Sequence, residues 1–122
     1  MIHGVGIDIV DINKFKKALD RWGDKIVRRL FTEDEVGYCS RQRHPERHLA
    51  VRFAAKESVF KALGRAVPFK DVEITRGMGG GGGGGRPSVR IRGLEGGFRF
   101  FISLSHDGSF AVSQTVVERL GE

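Results

Sequence analysis

The segment PERHLAVRFAAKESVFKALG, residues 45–64, decides how the rest of the chain is read. Pro45 suits an early helix position, where a missing N–H is no loss, and Gly64 suits the stop. Between them Leu49, Val51, Phe53, Ala54, Val59, Phe60 and Leu63 place apolar groups on more than one stripe. A helix with a single apolar stripe lies on a surface, whereas one with several is enclosed by other elements. The spacing therefore predicts a long central helix.

Toward the N-terminus, residues 2–10, IHGVGIDIV, alternate apolar Val5, Ile7 and Ile9 with the period of a strand. Residues 13–22 place Phe15, Ala18, Leu19 and Trp22 on one helical face and Lys14, Lys17 and Arg21 on another. Gly23 marks a break, and a short helix over 24–30 carries Ile26, Val27 and Leu30. Thr32 and Glu35 have capping-box spacing, which predicts a third helix through about Cys39. After Pro68 the pattern changes to strand-like runs at 69–75, 89–92, 98–104 and 111–117. A strand, then helices, then a run of strands predicts an α+β fold with an antiparallel β-sheet packed against helices. Met78 and the seven glycines 79–85 read as a mobile connection without chemistry.

The 122 residues fit one domain, 1–122. No apolar run approaches the roughly 20 residues that cross a bilayer, so no membrane association is expected. The opening MIHGVGIDIVDI lacks a basic n-region and a small-residue cleavage site, so no signal peptide is expected. The lone Cys39 cannot form an internal disulfide and suits a cytoplasmic location. Lys and Arg number 21 against 15 Asp and Glu, and the balance of +6 predicts an anionic partner: nucleic acid, nucleotide phosphates or an acidic protein.

Three segments hold the residues that could do chemistry. In GVGIDIV, residues 4–10, Asp8 sits in an apolar strand, where a lone charge is expensive. A hydrogen-bonding loop, a salt bridge or a metal would each resolve it. In RFAAKESVFKALG, residues 52–64, Glu57 and Lys61 are four apart and share a helical face. They are either a surface ion pair or, given the apolar flanks, part of a site. In ISLSHDG, residues 102–108, Ser105 and His106 lie at a strand end before an Asp-Gly turn. A Ser-His-Asp triad is not expected there, because neighbours in a strand point to opposite faces and Ser105, His106 and Asp107 do not readily converge. His44 and His48 have the spacing of zinc ligands, but no third ligand is evident.

Taken in order, these segments resemble the holo-[acyl-carrier-protein] synthase family of phosphopantetheinyl transferases, together with FTEDE at 31–35, DVEI at 71–74, GRP at 85–87 and SLSH at 103–106. The glycine run departs from the short polar turn usual before the GRP piece. The resemblance implies that a serine of an apo acyl carrier protein attacks the β-phosphate of coenzyme A, in support of fatty acid biosynthesis. It implies Mg²⁺ held by Asp8 and Glu57, with Glu57 and Lys61 catalytic. Arg52, Lys61, Arg86, Pro87, Ser105 and His106 become candidates for the nucleotide. The acidic carrier would dock on Lys14, Lys17, Arg21 and Arg28, where complementary charge speeds encounter. The family also implies a homotrimer with each active site between subunits. Two other readings remain at this point. A small basic nucleic-acid-binding protein would explain the charge, though Phe15 and Trp22 fall on the apolar face. A non-catalytic oligomer would use its polar residues only as braces.

Overall fold

The computed structural model describes residues 1–76 and 86–121. The elements run β1 (Ile2–Asp11), α1 (Ile12–Trp22), α2 (Asp24–Leu30), α3 (Glu33–Ser40), α4 (Pro45–Leu63), a 3₁₀ turn (Phe69–Asp71), β2 (Val72–Arg76), β3 (Pro87–Ile91), β4 (Phe98–Asp107) and β5 (Phe110–Arg119). The fold is α+β, as expected, with every strand pair antiparallel. The single sheet expected from the sequence is in fact two: β1-β5-β4 and β2-β3. The run at 69–75 opens as a 3₁₀ turn and becomes a strand only at Val72. The glycine run lies outside the described residues.

Helix α4 is central because both core clusters use it. Ala55, Val59, Phe60, Ala62 and Leu63 pack with Val72, Ile74, Ile91 and Val117. Leu49 and Ala50 pack with Ile12, Phe15, Leu30, Phe31, Cys39 and Ala111. Pro45 opens the helix, and Gly64 closes it in the left-handed conformation, its N–H donating to the Phe60 carbonyl. Between Ala111 and Val117 the contact of α4 with β5 turns polar: the buried Ser58 hydroxyl lies 2.8 Å from that of Ser113 and 2.7 Å from that of Thr115. The three small hydroxyl residues satisfy one another there, so none of them is stranded by burial.

The apolar alternation of β1 proves to be the outer face. Val5, Ile7 and Ile9 are 56%, 60% and 63% exposed. The inner face carries Gly4 and Gly6 instead, and the reason is distance. A Cβ on Gly4 would run into the Ala62 carbonyl, and one on Gly6 into the Ser58 carbonyl. The absent side chains let β1 lie directly on α4, and Asp8, two residues beyond Gly6, follows on the same face. Gly6→Ala is therefore expected to destabilise the protein by about 3 kcal/mol or more, since a backbone carbonyl cannot move aside as a side chain can. A urea titration in which Gly6→Ala unfolds with the wild type would contradict this packing.

The helical N-terminal half matches its pattern with one exception. Asp11 caps α1, accepting from the N–H groups of Asn13 and Lys14, and the Thr32–Glu35 capping box is present. Trp22 does not join the apolar face. It is 57% exposed, and the Arg21 guanidinium lies over its ring at 5.2 Å. It is the last residue of α1, immediately before Gly23, where no further turn of helix can cover it.

Candidate active site

The close approach of β1 and α4 brings together Asp8, Glu57 and Lys61. The Lys61 ammonium donates to Asp8 Oδ1 at 3.1 Å and to the Ile7 carbonyl at 2.9 Å. Glu57, one turn before Lys61, is held above the usual carboxylate range, first by partial burial and then by the Asp8 charge; Lys61 opposes the shift. Two acidic groups far apart in sequence thus face one spot. The face is more open than expected for so buried a helix: the Lys61 side chain is 54% exposed and that of Asp8 16%.

Among the described residues no group of three or more His, Cys, Asp or Glu side chains could hold a metal. The pair of carboxylates nonetheless fits Mg²⁺, which commonly takes only one or two from the protein and completes its shell with phosphate oxygens and water. Glu57 also supplies a test. A carboxylate whose folded pKa is raised binds its proton more tightly folded than unfolded, so stability falls as pH rises from the ordinary carboxylate value through the raised one. Discounted for its solvent exposure, the effect is small: Glu57→Gln should raise the metal-free melting temperature by roughly 2 °C near neutral pH and barely at about pH 4. Melting curves of the two proteins at both pH values check this.

A second cluster lies elsewhere on α4. A cavity of about 100 Å³ is lined by Arg47, His48, Val51, Arg52, Ile74, Thr75, Arg76, Pro87, Leu104, Ser105 and His106. Four of the six candidate nucleotide contacts, Arg52, Pro87, Ser105 and His106, are therefore gathered here. Arg52 is 4% exposed and stacks on the Tyr38 ring at 4.5 Å. Its Nε is buried without a hydrogen-bond partner among the described residues. Arg86 is not in this cavity; it lines a neighbouring open groove of about 700 Å³ with Pro87, Phe101 and Ser103. Asp8, Glu57 and Lys61 line neither.

The 4′-phosphopantetheinyl transferase superfamily matches residues 4–114 of the chain. A holo-[acyl-carrier-protein] synthase of Geobacter sp. (strain M21) is 41% identical over 130 residues, taking in 98% of this chain and all of that one. The chain belongs to the holo-[acyl-carrier-protein] synthase family of that superfamily. The family extends to solved structures. A holo-(acyl-carrier-protein) synthase from Bacillus anthracis, in complex with CoA (3′,5′-ADP), is 33% identical with a TM-score of 0.83 and covers 98% of both chains. The Helicobacter pylori synthase in complex with coenzyme A is 26% identical with a TM-score of 0.80, covering 93% of this chain and 99% of that one.

In this member of the synthase family, three cavity residues escape sequence reading: Arg47, His48 and Arg76. His48 had a signal, its spacing from His44, but it pointed to zinc. In the structure the two diverge: His44 lies 3.9 Å from Glu46, whereas His48 packs edge-on against Tyr38 and lines the cavity. The basic docking candidates Lys14, Lys17, Arg21 and Arg28 are all exposed, while Phe15 is in the core.

Proposed function

We propose that the chain transfers 4′-phosphopantetheine from coenzyme A to a serine of an apo acyl carrier protein, releasing adenosine 3′,5′-bisphosphate, with Mg²⁺ held by Asp8 and Glu57. The observation that carries this reading is the meeting of Asp8, Glu57 and Lys61 at one solvent-accessible spot. In the reaction the serine oxygen bonds to the β-phosphorus, the bond from that phosphorus to the bridging oxygen breaks, the bridging oxygen leaves with adenosine 3′,5′-bisphosphate, and the serine proton passes to a base. Such chemistry asks the protein chiefly for positioning and charge neutralisation. Mg²⁺, when bound, offsets charge on the pyrophosphate and the leaving group. Lys61 supplies a further cation beside it. Glu57, on the same spot, also suits the role of base toward the serine through a water. The docking surface is the basic face of α1 and α2, with Lys14, Lys17, Arg21 and Arg28.

The nucleotide belongs in the cationic cavity. At about 100 Å³ it is well below the roughly 300–1,000 Å³ of pockets that enclose a drug-sized ligand. It has room for a phosphate, and the remainder of the coenzyme needs another wall. A homotrimer supplies one. The outer sheet face, with Val5, Ile7, Ile9 and Phe101 exposed, is the natural contact surface for the neighbouring copies. A cytoplasmic setting accords with Cys39, a buried, unpaired thiol that burial pushes up to about 11.

The deciding experiment incubates the protein with an apo carrier protein, coenzyme A and Mg²⁺. Mass spectrometry should show the carrier gaining one phosphopantetheine group, and chelation should abolish the gain. An unmodified carrier under saturating coenzyme A would sink the reading.

A further inference from the structure

The side chains that converge on the small cavity are an unusual set. From α4 come Arg47, His48 and Arg52, from β2 comes Arg76, and from β4 comes His106. The titratable group of α3 against His48 is Tyr38, whose ring meets the imidazole edge-on with centroids 6.1 Å apart. Glu46, the nearest acid in sequence on α4, has its carboxylate toward His44 at 3.9 Å. Among the described residues the cavity wall therefore carries five cationic or potentially cationic groups and no carboxylate.

We infer that His48 is a proton-linked anion-binding residue, uncharged in the empty cavity and taking up a proton when a phosphate enters it. This rests on the assignment of the nucleotide to that cavity and adds a residue and a proton to it. The physical reason is a change of neighbours. With the cavity empty, His48 is surrounded by like charge and partly removed from water. Its pKa is lowered accordingly, first by burial and then by Arg52, Arg76, His106 and Arg47. A phosphate carrying close to two negative charges reverses the sign of the local field, and the imidazolium becomes the favoured form. Arg and His then divide the work. The arginines give attraction at every pH, whereas His48 adds a contact that weakens as pH rises. Release of adenosine 3′,5′-bisphosphate would accordingly return a proton to solvent.

The test uses the full-length protein and adenosine 3′,5′-bisphosphate as probe. Calorimetric titration near pH 7 in buffers of different ionisation heat measures protons taken up on binding. The phosphates of the probe, drawn toward cations, lose protons on binding, so uptake must come from the protein. Wild type should take up about half a proton more than His48→Phe, which keeps a ring against Tyr38 and leaves His106 in place. The ratio of wild-type to His48→Phe affinity should grow about tenfold from roughly pH 8 to pH 5.5. Should His48→Phe fold poorly, His48→Gln and an NMR titration of the wild-type imidazole, free and bound, make the same measurement. Binding without His48-dependent uptake overturns the inference and leaves the cavity assignment standing. No binding by the wild-type protein overturns both.

Discussion

Lys56→Met should cost the protein about 3–5 kcal/mol, enough to leave a domain of ordinary stability largely unfolded on mild heating. Lys56 is fully buried and so is its partner, Glu35. The ammonium donates to Glu35 Oε1 at 2.7 Å, to the Leu30 carbonyl at 2.7 Å and to the Phe69 carbonyl at 3.0 Å. Those acceptors come from the last turn of α2, from α3 and from the 3₁₀ turn, so one side chain ties three segments to α4. Burial pulls the Lys56 pKa down and Glu35 resists. Removing the lysine strands a carboxylate and a carbonyl in a site closed to water. The orphaned charge is the costly part, so adding Glu35→Gln to Lys56→Met should recover more than half of the loss. The amide oxygen of the new side chain can still accept from the Ile74 N–H, which in the native protein donates to Glu35 Oε2 at 2.8 Å. Urea unfolding of the two singles and the double forms the cycle. A Lys56→Met protein within about 1 kcal/mol of wild type would show that this buried pair does not hold the segments together.

Glu35 also shows how far sequence reading reaches. Its spacing from Thr32 announces a capping box, and the Thr32 N–H does donate to Glu35 Oε1 at 2.9 Å. The same oxygen receives Lys56 and the other receives the β2 backbone. Local motifs report local hydrogen bonds; nothing in the spacing of residues 35, 56 and 74 says they share one carboxylate. β1 gives the opposite lesson. Its period of two identifies a strand, but not which side is inside. Gly4 and Gly6 mark the inner face because only there does backbone touch backbone. The carboxylates were readable as types in unusual settings. Arg47 and Arg76 were not, because a charged residue on a helix or strand is ordinary until the fold turns several toward one cavity.

The separation of the two clusters leads to the largest expected effect on activity. Glu57→Gln and His106→Ala should each lower transfer by at least about a hundredfold, the first by removing the proposed metal and base group, the second by removing the proposed phosphate contact. His106 is exposed, so its truncation should leave the fold intact. Neither homogeneous variant then has a working site. If a site takes its carboxylates from one chain and its cavity from the next, trimers assembled from equal amounts of the two variants contain some sites built from the intact half of each. Random assembly gives a carboxylate half from a His106→Ala chain beside a cavity half from a Glu57→Gln chain in about one quarter of cases. Co-expressed variants should thus recover roughly a quarter of wild-type activity, far above either alone. A site contained within one chain predicts no recovery at any mixing ratio, since every chain is broken somewhere. The measurement is transfer to the carrier protein by co-purified mixed oligomers, with the two chains distinguished by tags. Recovery would also explain why Asp8, Glu57 and Lys61 line no cavity in common with Arg52 and His106: the space that joins them closes only against another copy.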